Sequence, residues 1–225
     1  MKIYIGHDPA EQAAYDVAVK SLQKHTAIIP EALNADRLRA SGLLTRDIDK
    51  RGQMYDLPSN APCSTEFAVS RFLVPILSQC GLALFTDCDV VFLANPWELV
   101  AHADPTKAVM VVKHNHDGEG TKMGGMVQTA YPRKNWSSVM LFNCDHPANR
   151  RLSLRDINER PGRDLHAFYW LHDDEIGELP AEWNWLVNVE PEPESPKIAH
   201  FTNGGPWIEG WEWADHDSLW MTARG

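Results

Sequence analysis

Residues 2–6, Lys-Ile-Tyr-Ile-Gly, form a short run rich in β-favouring side chains, and a polar turn with Asp8-Pro9-Ala10-Glu11 follows directly. A capping side chain, a proline at the first helical position and an acid three residues after the cap together predict a helix start. Ala14, Val17, Ala18 and Leu22 then recur at three and four residues, which gives that helix one apolar face. A second strand over 27–33 contains Pro30, which cannot donate to a ladder, so it belongs at a sheet edge or ends early. Residues 34–63 are irregular, and Arg37, Arg39, Arg46, Lys50 and Arg51 with Pro58 and Pro62 predict a long polar excursion over a site.

A helix over 65–79 follows, with Phe67, Phe72, Leu73, Ile76 and Leu77 on one face and Gly81 as its carboxyl cap. The run 82–86, Leu-Ala-Leu-Phe-Thr, is continuously apolar before its final threonine, as in a parallel strand covered by helices on both faces. Two more such runs, 108–112 and 138–142, each precede a polar turn; 146–160 reads as helical and 197–201 as a last short strand. Strands alternating with helices, with no internal repeat or dividing linker, predict one α/β domain over residues 1–225.

Composition narrows the class. The 225 residues carry 21 Lys plus Arg against 31 Asp plus Glu, a net charge of −10, with 44% apolar and 23% charged positions. Such a chain builds a core without staples, which excludes disordered, collagen-like and disulfide-dense classes, and its charge repels nucleic acid. Cys63, Cys80, Cys88 and Cys144 include no C-x-x-C pair and fit no zinc spacing, so free thiols in a reducing compartment are expected. The opening turns polar after five residues, and no apolar run reaches the roughly 18 residues that span a bilayer. A cytoplasmic protein without a transmembrane segment is the expectation.

The sharpest chemical feature is Asp87-Cys88-Asp89, placed directly after the run 82–86 and before the apolar run 90–93. Ligands of open α/β sheets bind at the carboxyl edge of the strands, and two acids this close repel unless a cation or a donor set lies between them. A hard divalent ion bridging to a diphosphate meets that need, whereas a solvated turn is the plainer alternative.

Several segments in the same order settle the comparison. Tyr4-Ile5-Gly6-His7-Asp8, the stretch around Arg71, Asp87-Cys88-Asp89, Trp136-Ser137-Ser138, Asp174-Glu175-Ile176-Gly177, Leu179-Pro180-Ala181-Glu182-Trp183-Asn184 and His200-Phe201-Thr202-Asn203-Gly204-Gly205-Pro206-Trp207 span most of the chain. Together they resemble a retaining glycosyltransferase of the GT-A fold, close to family 8, with a mixed, mostly parallel central sheet flanked by helices. The resemblance implies that Asp87, Asp89 and His200 bind a divalent metal, Mn²⁺ or Mg²⁺, which holds the diphosphate of a nucleotide sugar. Two carboxylates, an imidazole and phosphate oxygens suit Mn²⁺. It also places Ile5, Gly6, His7, Arg71, Cys88, Lys134, Trp136, Ser137, Gly204 and Gly205 around the donor, with Arg71 paired to an acid. The implied activity is transfer of a hexose, from UDP-glucose or UDP-galactose, to a hydroxyl of a saccharide, lipid-linked or protein acceptor.

Two departures from the family pattern matter. Retention requires a group on the sugar face opposite the leaving group, and the resemblance assigns this to Asp174 and Glu175, where the family commonly shows Asp-Gln. A carboxylate there either attacks covalently or stabilises positive charge while the acceptor enters on the leaving-group side. The family's closing motif H-x-x-G-x-x-K-P-W is one residue shorter here and lacks its lysine, so leaving-group charge falls to the metal, to the Gly204 and Gly205 N–H groups, and to Arg133 or Lys134. Alternatives to transfer are nucleotide-sugar hydrolysis and non-catalytic binding of a nucleotide sugar or carbohydrate.

Other signals have plain readings. The crowd of Trp207, Trp211, Trp213 and Trp220 suits a packed C-terminal lid better than an acceptor platform, and Arg150, Arg151, Arg155, Arg160 and Arg163 suit a solvated helix face. His114 and His116 alone make a weak second metal site.

Overall fold

A computed structural model gives the fold of residues 1–115 and 133–225, together with the backbone pairing of two short strands between them. Strand β1 (Lys2–His7) leads through a single 3₁₀ turn, Pro9–Glu11, into helix α1 (Gln12–Gln23). Asp8 is the cap: one carboxylate oxygen accepts the Ala10 N–H at 2.9 Å and the other accepts Glu66 N–H at 2.9 Å. Glu11 does not complete a capping box, because it turns inward and is buried. Strand β2 (Glu31–Asn34) begins only after Pro30, at the sheet edge as the proline requires. Asn34 then caps the short helix α2 (Ala35–Ala40) by accepting the Arg37 N–H at 3.0 Å.

The polar excursion is less irregular than its sequence suggests. It forms a small antiparallel sheet of β3 (Ile48–Asp49), β4 (Tyr55–Asp56) and β5 (Ala61–Pro62). Arg46 pins it, donating to Asp56 at 2.6 Å and to the Ile157 carbonyl at 3.0 Å from a fully buried side chain. The helix expected over 65–79 is mostly 3₁₀ turn at Ser70–Leu73 followed by α3 (Val74–Ser78), since Pro75 lacks the N–H an internal helical position needs. Gln79, at φ 64°, ends that helix in place of the expected Gly81.

Next come β6 (Leu82–Thr86), β7 (Val90–Phe92), β8 (Val109–Val111), the outlying pair β9 (Thr121–Lys122) and β10 (Met126–Val127), and β11 (Val139–Asn143). The segment 146–160 divides into a 3₁₀ turn, Pro147–Arg151, and α4 (Leu154–Glu159), which Ser153 and Asp156 start with a capping box. The remaining elements are α5 (Gly162–His166), β12 (Ile176–Glu178), β13 (Trp185–Leu186), β14 (Ile198–His200) and α6 (Asp217–Arg224). No helix among the described residues is long and apolar enough to cross a membrane.

The central sheet has the order β12-β8-β11-β6-β1-β2. All neighbours are parallel except those of β11, which runs against β6 and β8, so the sheet is mixed and mostly parallel as expected. Its strands are apolar on both faces: Ile3, Ile5, Leu84, Phe85, Val109, Leu141 and Phe142 are all essentially inaccessible. Gly6 lies under the Phe67 ring, where a Cβ would fall 2.4 Å from a ring carbon. A second sheet, β13-β14-β7, packs with α1 and α6 around Val17, Val91, Trp185, Phe201 and Trp220. The C-terminal tryptophans are mainly packing: Trp207 lies 5.7 Å from Trp220 ring to ring, and Trp211 donates to Asp217 at 2.7 Å.

Candidate metal and nucleotide-sugar site

One edge of the central sheet collects the carboxyl ends of β1, β2, β6, β8 and β12 and the amino end of β11. Asp87-Cys88-Asp89 sits at the middle of that edge, where the chain leaves β6 and enters β7 of the second sheet. The alternating backbone turns the two acids toward the edge and Cys88 the other way. Cys88 is fully buried and its thiol donates to Glu11 Oε2 at 3.0 Å. Strand β14 runs antiparallel to β7 with His200 opposite Val90, and the Phe201 N–H donates to the Asp89 carbonyl at 2.9 Å. That register delivers the imidazole to the two acids.

His200 Nε2 lies 3.3 Å from Asp89 Oδ1, and one ligand atom from each of Asp87, Asp89 and His200 falls within 4.8 Å of the others. Only 1% of His200 is exposed, and its Nε2 has no hydrogen-bond partner among the described residues. A buried lone pair facing a carboxylate oxygen is costly unless a cation stands between them, so these three groups fit a divalent ion with mixed oxygen and nitrogen donors.

Arg71 governs the acids from the other side. Its guanidinium meets Asp87 at 2.8 Å, donates to the Ser137 carbonyl at 2.9 Å, and lies over the rings of Phe67 and Phe85 at 5.3 and 5.1 Å. The acid partner expected for it is therefore Asp87 itself. Beneath the loop, burial and then the charge of Asp89 push the Glu11 carboxyl up to about 8, and burial with the Glu11 charge holds the Cys88 thiol well above its usual range.

The acids open into a cleft of about 510 Å³. The small sheet and the following turn form one wall with Met54, Cys63 and Thr65, while Lys134, Asn135, Ser137 and Ser138 form the other. Gly162, Arg163 and His166 of α5 close its end, and His166 Nδ1 stands 2.7 Å from the Ser137 hydroxyl. Nothing in the sequence marks His166, because only the packing of α5 against the 135–138 turn brings it there.

Of the expected donor contacts, Arg71, Lys134 and Ser137 line the cleft with Asp87 and Asp89. Ile5, Gly6 and His7 lie at the same sheet edge but not in the cleft: Ile5 is core, and His7 is held between Gln12 at 2.9 Å and Asn34 at 3.0 Å. The Cys88 side chain points beneath the loop toward Glu11 and does not line the cleft. Trp136 also stays out of the cleft, donating to the His114 carbonyl at 2.9 Å between the cations of Lys113 and Arg133. The Gly204 N–H is occupied by the Phe201 carbonyl at 2.8 Å, and a Cβ on Gly205 would meet the Trp207 ring at 2.4 Å. Arg133 is tied to Asp173 and to the Ala167 carbonyl, whereas Lys134 and Lys50 both line the cleft.

The pair Asp174 and Glu175 is not brought to this cleft. It precedes the amino end of β12, and the parallel register of Ile176 with Val109 puts that end at the opposite edge of the sheet from Asp87. Glu175 there accepts from Arg151 and from the His172 N–H at 2.8 Å; although burial works upward, those two bonds hold its carboxyl below the usual range. Arg155, Arg160 and Arg163 of that stretch pair with Glu159, Asp156 and Asp164 on the surface, as a solvated face does. His116 lies outside the described residues, whereas His114 belongs to the network described below.

The fold is that of the GT-A glycosyltransferases, similar to family 8. The whole chain superposes on the galactosyltransferase LgtC, solved with donor and acceptor sugar analogs, at a TM-score of 0.62 and 16% identity, covering 95% of that chain. It also superposes on the bifunctional glycosyltransferase WbbM (TM-score 0.62, 12% identity) and on the glycosyltransferase GlyE of Streptococcus pneumoniae (0.58, 12%), of which it spans 49% and 60%. In sequence it is 44% identical over 230 residues to protein CDI of Arabidopsis thaliana, covering 98% of this chain and 84% of that protein. The chain belongs to the family of protein CDI. No family model matches it.

Proposed function

We propose that the chain, acting as one GT-A unit, is a metal-dependent retaining glycosyltransferase that moves a hexose from a UDP-sugar to an acceptor hydroxyl. The observation that carries this reading is the group of half-buried Asp87 with buried Asp89 and His200 at the mouth of a cleft on the ligand-binding edge of a GT-A sheet. A divalent ion bound by these residues supplies an anchor for the diphosphate and a sink for leaving-group charge. Arg71 fixes Asp87 in place, and Lys134 takes the part of the lysine absent from the closing motif.

The cleft favours one of the two retaining routes. Among the described residues its acids are Asp56, Glu66, Asp87 and Asp89. Asp56 and Glu66 are engaged by Arg46 and Lys50, and the other two belong to the triad. With no further carboxylate among the described cleft residues to attack the sugar, entry of the acceptor on the leaving-group side is the reading these side chains support.

Calorimetric titration with a panel of nucleotide sugars, with Mn²⁺ and then with chelator, tests the proposal. Manganese-dependent binding of one UDP-sugar, lost in Asp89→Asn, is the expected result. Equal binding in chelator, or none in Mn²⁺, overturns it.

A further inference from the structure

A buried chain of hydrogen bonds runs from the triad back to the surface. His200 Nδ1 meets Asn184 Oδ1 at 3.0 Å, Asn184 Nδ2 meets His114 Nε2 at 2.9 Å, and His114 Nδ1 meets Glu190 Oε1 at 2.9 Å. Asn184 is wholly inaccessible, and His114 and His200 are 8% and 1% exposed. Only Glu190 reaches solvent, with 29% of its side chain exposed.

Donor chemistry gives this chain a direction. An ionised Glu190 only accepts, so His114 carries its proton on Nδ1 and presents a lone pair at Nε2. That lone pair takes an amide N–H of Asn184, whose oxygen must then face His200. The same orientation is required from the other flank: the Ser138 hydroxyl donates to the Asn135 carbonyl at 2.6 Å, so at 2.9 Å it accepts the second Asn184 N–H. The Asn184 oxygen therefore calls for a proton on His200 Nδ1, which leaves Nε2 as the lone pair facing Asp89.

We propose that Asn184, held by Glu190 through His114 and by Ser138, is a positioning residue that fixes the tautomer and ring orientation of His200 so that Nε2 is a ready metal donor. This rests on the reading of His200 as a metal ligand, and it adds residues that act through it. Asn184 stands in the Leu179–Asn184 segment after the carboxyl end of β12, and His114 follows the carboxyl end of β8, so the sheet edge that gathers the triad also gathers its support.

The test uses the full chain in chelator and compares wild type with Asn184→Ala and Asn184→Asp. Long-range proton–nitrogen NMR spectra of the imidazoles at about pH 8, where histidine is neutral, are expected to show His200 protonated on Nδ1 in wild type and Asn184→Asp, and a tautomer mixture in Asn184→Ala. Mn²⁺ titration is expected to show about 10- to 100-fold weaker binding in Asn184→Ala, with the aspartate variant rescued despite its lower stability. A residue serving packing alone would lower stability in both variants and move the tautomer in neither, which overturns the proposal. Should Asn184→Ala fail to fold, a wild-type His200 protonated on Nε2 overturns it equally. Wild-type protein that shows the Nδ1 tautomer yet binds no Mn²⁺ refutes the metal reading and leaves the tautomer assignment standing.

Discussion

Glu11 is where the metal-free site should register pH most strongly. The residue is 7% exposed, accepts the Cys88 thiol, and has its carboxyl pushed from 4.5 to about 8 by burial and then by Asp89. Between those two values the folded chain keeps a proton that the unfolded chain has released. Stability therefore falls as pH rises through this window, and the loss is complete above the folded value. At about 1.4 kcal/mol per unit, the shift amounts to about 1 kcal/mol at pH 5, about 3 at pH 7 and nearly 5 at pH 9.

Glu11→Gln removes this titration while keeping an oxygen for the Cys88 thiol and bringing no charge toward Asp89, Asp8 or Asp87. Urea unfolding of both proteins in chelator is the assay. The variant is expected to match wild type within about 1 kcal/mol near pH 5 and to exceed it by about 3 kcal/mol or more near pH 9. A difference that stays flat across this range, or narrows as pH rises, would refute the reasoning. Saturating Mn²⁺ should make the wild-type slope shallower without abolishing it, because a cation at the triad offsets the Asp89 contribution and leaves burial untouched.

Arg71→Met takes the guanidinium from 2.8 Å of Asp87 and should cost about 3 kcal/mol in urea unfolding, whereas a cost below about 1 kcal/mol would show that Asp87 does not depend on it. Lys134→Gln should lower kcat at least about tenfold while donor affinity changes less than about threefold, because charge grows on the diphosphate only as the bond breaks; an equal loss in both would make Lys134 a binding group alone. Glu175→Gln should leave turnover unchanged, since Glu175 pairs with Arg151 at the far edge of the sheet, and a collapse of kcat would restore it to the reaction. Alkylation of the native protein should label exposed Cys80 first, Cys63 and Cys144 slowly because burial raises both thiols to about 11, and Cys88 only after unfolding; early labelling of Cys88 would show that the loop opens.

The sequence made the central strands and the paired acids of the candidate metal site legible because both are local signals. Continuous apolar runs mark β6, β8 and β11, and Asp87-Cys88-Asp89 adjoins one of them. The excursion over 34–63 was read as irregular, whereas it holds a short helix and a small sheet that the buried Arg46–Asp56 ion pair pins, which no periodicity reveals. Glu11 was read as a capping acid by its spacing from Asp8, yet its side chain is buried and accepts from the Cys88 thiol. Gly6 and Gly205 were read as donor contacts, and the structure sets each against a ring of its own chain, Phe67 and Trp207.

The larger difference concerns strand direction. A loop serves this site only if it follows the carboxyl end of a strand parallel to β6 or precedes the amino end of β11. By that rule Asp87, His114, Asn184 and the 134–138 turn all belong to one edge, although they are scattered over the chain. Asp174 and Glu175 come just before β12, and Asn184 comes soon after it, so three residues of strand separate the far edge from the near one. A motif comparison carries both segments across together because they are neighbours in sequence. The pairing of β12 with β8 parts them, placing Glu175 in an ion pair with Arg151 at the far edge and the asparagine beside His200.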